Sequence, residues 1–360
     1  MIRLHLPATS DAEAPYVTRL AVSSDRPGEA DSVLLDRDEA GGTFAGSKGI
    51  VAIDGAAPED LDGDVVLVDP RAGRAERLIR AGSEHNSLLV TERCDQLCVM
   101  CSQPPKKTHV DRFDLLEEAA MLAPAGAVVG ISGGEPTLYK DRLLTMFERV
   151  LAARADLAFH VLSNGQHFES DDVERMRAPE YARVVWGIPV YAADADLHDG
   201  IVAKDGAFAR LEESFAHLVN AGARIELRTV LVRSNLAELR ALARYVVRRL
   251  PFVEVWSIMQ LENIGFARNR WRDLFVDHAL DFAPIGHALD VAALHGIPAQ
   301  LFNFPRCGVP ECYRPLARAS ISDWKRKYMP DCETCGERAA CTGFFEWHPD
   351  AEAAAAVRPL

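Results

Sequence analysis

From about residue 86 the apolar positions fall into short unbroken runs, separated by stretches in which apolar residues recur every three to four positions. The runs at 87–93, 127–132, 157–163, 183–190, 224–232, 252–260 and 297–303 are rich in Val, Ile and Leu. Strands buried on both faces have this character. The stretches 114–122, 141–153, 207–220 and 236–250 read as amphipathic helices. Strand–helix alternation of this kind predicts a parallel sheet with right-handed crossovers. Residues 1–85 differ. Short β-like runs at 16–22, 32–35, 49–53 and 64–69 alternate with Asp, Gly and Pro. Asp54-Gly55 and Asp62-Gly63 carry hairpin chemistry. The segment therefore reads as a small mostly-β domain, for which packing and recognition of a partner or peptide are equally open roles. Residues 86–303 form a second domain and 304–360 an extension. In that extension, 314–328 reads as a helix capped near Ser320 or Ser322, and 351–360 as a frayed tail.

Charge narrows the function classes. The 360 residues carry a formal net charge of −13. A broad nucleic-acid or anionic-membrane surface needs the opposite sign. No apolar run approaches the ~20 residues that span a bilayer. The start, Met1-Ile-Arg-Leu-His5, lacks a secretory signal's apolar stretch, so the expectation is a cytoplasmic protein. There eight cysteines bind metal more readily than they form disulfides.

The cysteines supply the chemistry. Cys94-Asp-Gln-Leu-Cys98-Val-Met-Cys101 directly follows the apolar run at 87–93. Three thiolates from one short loop leave one iron of a 4Fe–4S cluster without a protein ligand. A zinc knuckle with His109 as fourth ligand is the plainer alternative. A second motif, Gly133-Gly134-Glu135-Pro136, follows the run 127–132. Two glycines admit a ligand close to the backbone, and an acidic group suits an ammonium. The two motifs together resemble the radical S-adenosylmethionine (SAM) superfamily. That resemblance implies a partial (β/α)6 barrel, with the active site at the C-terminal strand ends. It also implies a reducible cluster on Cys94, Cys98 and Cys101, and SAM seated by Gly133, Gly134, Glu135 and Pro136. Cleavage of SAM would yield a 5′-deoxyadenosyl radical. The turn Ser163-Asn164-Gly165 resembles a Thr-Asn-Gly-like turn lining the SAM pocket, with Ser in place of Thr. Tyr191 falls near a ribose-contacting position, although Tyr is not the usual residue there.

Glu226 and Arg228 lie two apart on one strand face. They pair with barrel neighbours, or Arg228 reaches the SAM carboxylate. Glu262 at a strand end faces the active site or caps the next segment. His198, in the His- and Asp-rich stretch 193–208, is a candidate substrate contact, against the simpler reading of a βα loop with a helix cap.

Five further cysteines follow the barrel, at 307, 312, 332, 335 and 341. The spacing Cys332-x2-Cys335-x5-Cys341 resembles the element in Twitch and SPASM extensions that carries auxiliary iron–sulfur clusters. The resemblance implies one auxiliary 4Fe–4S cluster on Cys307, Cys332, Cys335 and Cys341. Cys312 remains over as a substitute fourth ligand or a free thiol, and zinc on the same thiolates stays open. Several longer phrases are similar to the His-Xaa-Ser system maturases of the type called HxsC. They lie at 94–105, 131–138, 197–202, 259–267 and 320–325. This implies a ribosomally made His-Xaa-Ser precursor peptide as substrate, an electron donor such as ferredoxin or flavodoxin, and a second radical SAM maturase as partner. A radical SAM enzyme acting on a small molecule or RNA, and a non-catalytic zinc or iron–sulfur protein, are the alternatives.

Overall fold

The computed structural model describes residues 2–23 and 27–360. Seven strands, β1 (His5–Ser10), β2 (Tyr16–Ala21), β3 (Asp31–Arg37), β4 (Gly41–Gly46), β5 (Gly49–Asp54), β6 (Val65–Asp69) and β7 (Arg74–Ile79), close into a barrel of order β1-β5-β4-β3-β2-β6-β7. Leu6, Leu20, Phe44, Val51, Ile53 and Val66 fill it. The Asp-Gly pairs do not make hairpins. They flank a 3-10 turn at Pro58–Leu61 between β5 and β6, which are not neighbours in the sheet. The tight turn lies instead between β4 and β5, where Gly46 is opposite Gly49. One buried ion pair, Arg77 Nε to Asp64 Oδ2 at 2.5 Å, is completed by Arg77 Nη2 donating to Asp60 O. Satisfying the remaining donors is what makes a buried charge pair tolerable.

The rest of the chain alternates as the pattern predicts: β8 (Asn86–Thr91), α1 (Phe113–Met121), β9 (Val128–Gly133), α2 (Lys140–Ala153), β10 (Ala158–Leu162), α3 (Ser170–Met176), β11 (Val184–Pro189), α4 (Ala195–Val202), α5 (Ala207–Ala221), β12 (Arg224–Val230), α6 (Arg233–Leu236), α7 (Leu239–Arg249), β13 (Val255–Met259), α8 (Gly265–Asn269), α9 (Trp271–Leu274), α10 (Ala283–Leu294) and β14 (Ala299–Phe302). The second sheet has the order β14-β13-β12-β11-β10-β9-β8, and β11 to β14 pair in parallel. Trp186, Ile188, Ile225, Leu227, Trp256 and Ile258 on these strands are fully buried.

Two compact units result. One comprises Met1–Thr91, Val110–Ser132 and Tyr139–His160; the other comprises Glu92–His109, Gly133–Leu138 and Val161–Leu360. The first unit therefore extends past residue 85. Within it α1 packs on β2 and β6, and Arg112–Glu76 and Lys48–Glu118 form ion pairs. Among the described residues no helix is long and apolar enough to cross a membrane.

The extension corrects two expectations. The stretch 314–328 is not an α-helix. It contains part of a 3-10 turn with an internal proline (Glu311–Leu316), a second short turn (Asp323–Lys325) and β15 (Arg326–Lys327). Ser320 does not cap a helix, since its hydroxyl accepts from the Asn303 N–H at 2.8 Å. Nor is the end frayed. β16 (Phe344–Phe345) pairs with β15, and α11 (Asp350–Ala356) follows with Ala353 fully buried.

Candidate active site

The cysteine loop is held by backbone hydrogen bonds. Cys101 N–H donates to Cys98 O at 3.0 Å, closing a tight turn. Leu97 N–H donates to Val202 O and Val99 N–H to Ile201 O, at 3.2 and 2.9 Å. On the other side Phe266 N–H donates to Cys101 O at 2.9 Å, and Arg270 Nη1 donates to Val99 O at 2.9 Å. Gly265 is required at this junction. Its φ is +57°, and a Cβ there would lie 2.3 Å from Cys101 O. The clamps come from the end of α4 and from α8 with Arg270 just after it.

The Gly-Gly-Glu segment lies against the same loop. Glu135 N–H donates to Arg93 O at 2.7 Å. A Cβ on Gly134 would meet that carbonyl at 2.2 Å and Cys94 Cβ at 3.0 Å, so glycine is what allows the approach. Glu135 is fully buried. Its Oε1 accepts from Thr137 N–H, Thr137 Oγ1 and Ser163 Oγ, and its Oε2 accepts from Asn164 N–H. A carboxylate offers about four lone-pair sites; three donors crowd Oε1, while Oε2 accepts one. Burial pushes this carboxyl up, with the donors from Thr137, Asn164 and Ser163 opposing. The side chain thus orders the pocket wall. Pro136 is buried and opens a 3-10 turn, Pro136–Tyr139.

Asp95, inside the cysteine motif, is the hub of a charged network. Its Oδ1 accepts from Asn164 Nδ2 at 2.8 Å, and its Oδ2 pairs with Lys204 Nζ and with His167 Nε2. Burial would raise this carboxyl, but the bonds from His167 and Lys204 outweigh it and hold the group well below the usual range. Arg228 Nη1 lies 2.9 and 3.0 Å from the two oxygens of Glu226, which also accepts from Ser257 Oγ. Gln300 extends the line by donating to Ser257 Oγ at 2.8 Å. Arg228 is therefore paired along its own strand.

His198 is a core residue, not a substrate contact. It is 1% exposed, and its Nδ1 accepts from Tyr191 N–H at 3.3 Å. The stretch around it is the helix α4, capped by Asp194 accepting from Leu197 N–H at 2.9 Å. Tyr191 is buried beside it. Glu262 is half-buried near Lys325 and Trp347, and loss of solvent there raises its carboxyl. The sequence reading missed Gln166. Its side-chain amide is buried with no protein partner on either its oxygen or its nitrogen. It directly follows the Asn164-Gly165 turn, which was the one available signal. A buried amide left open in this way is a place for a ligand to bond.

The donor chemistry fits an iron–sulfur centre. Burial, the neighbouring thiols and nearby carboxylates push Cys94 and Cys98 up to about 12. The thiolate is the ligand form, so a cationic group is needed to offset that cost. Among the described residues no three Cys, His, Asp or Glu side chains converge as a single-ion site.

A second set of thiols surrounds a cavity in the extension, lined by Cys307, Cys332, Cys335 and Cys341. Cys312 does not line it and is exposed. Cys341 Sγ accepts from Arg306 N–H and Gly343 N–H, both at 3.4 Å.

A family model described as "Radical SAM superfamily" matches residues 88–246. The match supports the radical SAM superfamily. It takes in the three cysteines of the loop, the Gly-Gly-Glu segment, the Ser163-Asn164 turn and Arg228, and it stops short of the extension. No curated protein matches the chain. Among solved structures, Streptococcus suis SuiB bound to S-adenosylmethionine aligns at 15% identity and TM-score 0.49, over 62% of this chain and 52% of that one. SuiB bound to its precursor peptide SuiA aligns at 14% and 0.46, over 60% and 47%. A radical SAM methyltransferase from Sphaerobacter thermophilus aligns at 13% and 0.45, over 73% and 72%. The chain spans about half the length of SuiB.

Proposed function

We propose that this chain is a radical SAM enzyme that modifies a ribosomally made peptide of the His-Xaa-Ser kind. The carrying observation is the 2.7 Å bond from Glu135 N–H to Arg93 O, which sets the Gly-Gly-Glu segment against the cysteine loop. In this reading Cys94, Cys98 and Cys101 hold a 4Fe–4S cluster. Gly133, Gly134, Glu135, Pro136, Ser163, Asn164 and Arg228 form the SAM seat. When bound, these groups supply one-electron cleavage of a sulfonium and, through it, hydrogen abstraction from an unactivated carbon.

The chain's own residues position and exclude. α4 and α8 fix the loop that presents the thiols. Glu135 orders Ser163 and Asn164, and Asn164 in turn holds Asp95 beside Cys94. Met100, Tyr191, Leu261 and Trp271 pack into one apolar cluster with Cys98 at its edge, which keeps water from that side. Cys307, Cys332, Cys335 and Cys341 hold one auxiliary 4Fe–4S cluster. The peptide substrate, the ferredoxin- or flavodoxin-like donor and the partner maturase rest on the sequence phrases similar to the HxsC type.

The test is isotope transfer. Anaerobic, reduced protein is mixed with SAM and a His-Xaa-Ser repeat peptide deuterated on its side-chain carbons. Deuterium in the 5′-deoxyadenosine supports the reading. Unlabelled 5′-deoxyadenosine, formed at the same rate without peptide, counts against a peptide substrate.

A further inference from the structure

Residues 357–360 cover the four-cysteine cavity. Val357 is 6% exposed and packs with Phe344 and Ala353, with Cys332 and Met329 against the same cluster. Val357, Arg358, Pro359 and Leu360 all line the cavity. Leu360 is fastened in both directions: Gly336 N–H donates to its carbonyl at 2.8 Å, and its own N–H points at Cys335 Sγ at 3.5 Å. With the two N–H groups on Cys341, two of the four sulfurs receive backbone donors, and the segment 357–360 supplies the one on Cys335.

Reduction places an added electron largely on the iron and its sulfurs. N–H dipoles aimed at a ligating sulfur stabilise that charge and raise the potential. Donors held by a folded segment do this at fixed geometry, where solvent would have to reorganise.

We propose that the segment 357–360 is a potential-setting shell of the cysteine centre in the extension, with the Leu360 N–H acting on Cys335. This rests on the reading that Cys307, Cys332, Cys335 and Cys341 hold an iron–sulfur cluster. Leu360 is a positioning residue; it donates from its backbone, so ordinary side-chain replacement leaves the bond in place.

The test exploits that. In the full chain carrying Cys98→Ala, which leaves only the second centre, Leu360→Pro removes the N–H, while Leu360→Ala keeps it and removes the side chain. Reduction midpoints are read anaerobically by redox titration monitored by electron paramagnetic resonance. The expected result is equal iron in both proteins and a more negative midpoint in Leu360→Pro than in Leu360→Ala. Loss of iron from Leu360→Pro alone also supports the shell, because the N–H then holds the centre as well as tuning it. Equal midpoints at equal iron overturn the proposal. Adding Cys332→Ala separates the two claims. If iron in the Cys98→Ala protein does not fall, the cluster reading itself fails, whatever the midpoints.

Discussion

His198 gives a quantitative handle on how the cysteine loop is supported. It sits on α4, whose last residues accept the Leu97 and Val99 N–H groups. It is enclosed by Tyr191 and Phe208, with ring centroids at 5.6 and 5.3 Å. Burial lowers its pKa from 6.5 to about 4, with Asp199 opposing. The folded value lies below the unfolded one. The stability this confers is therefore complete above pH 6.5 and is lost as pH falls toward 4. The full gap is worth about 3 kcal/mol at 1.36 kcal/mol per pH unit, and about 2 kcal/mol of it is gone by pH 5. Protonation also sets a new N–H on Nδ1 against the Tyr191 N–H that it now accepts. His198→Phe fills the aromatic site but loses the acceptor, at a cost of about 1–3 kcal/mol near pH 7.5. Urea unfolding of both proteins at pH 7.5, 6 and 5 isolates the histidine, because all other titrating groups are shared. Wild type should lose about 2 kcal/mol more than the variant between pH 7.5 and pH 5. Identical pH dependence in the two proteins would refute the buried, neutral histidine.

Two further outcomes follow from the site. Gly134→Ala forces a methyl into a backbone carbonyl 2.2 Å away. It should cost about 1–3 kcal/mol in stability and reduce both SAM binding and iron retention, measured by equilibrium dialysis and iron assay; unchanged SAM affinity would contradict the packing argument. Cys307→Ala should remove iron from the extension while Cys312→Ala leaves it, because only Cys307 lines the cavity; the opposite result would exchange their roles.

All seven strands of the second sheet were legible because continuous β-branched runs between amphipathic stretches have few other solutions. The first barrel was only half legible. β1 carries a proline, β4 is glycine-rich, and β7 (Arg-Ala-Glu-Arg-Leu-Ile) has the composition of a helix. Those strands form because neighbours on both sides close the barrel, a tertiary cause that local propensity does not carry. The two Asp-Gly pairs misled for the same reason: the left-handed turns are present, but the strands they join pair elsewhere. At the site, spacing exposed the cysteines and the Gly-Gly-Glu segment, since short motifs encode local geometry. Spacing did not show that Glu135 spends its carboxylate on Thr137, Ser163 and Asn164, or that Asp95 gathers Lys204 and His167. These partners lie 28 to 109 residues away for Ser163, Asn164 and Lys204. The segment 351–360 read as a tail because its alanines signal little; one buried Ala353, the Val357 anchor and the two backbone bonds at Leu360 fold it over the cysteines.

The most direct measurement is anaerobic iron and sulfide content, paired with 5′-deoxyadenosine formation after reduction with dithionite. The account predicts about eight irons per chain, two 4Fe–4S clusters, together with SAM cleavage. Cys98→Ala should remove about half the iron and all of the cleavage. Zinc at both cysteine sites with no 5′-deoxyadenosine would contradict the account and leave a metal-stabilised binding protein.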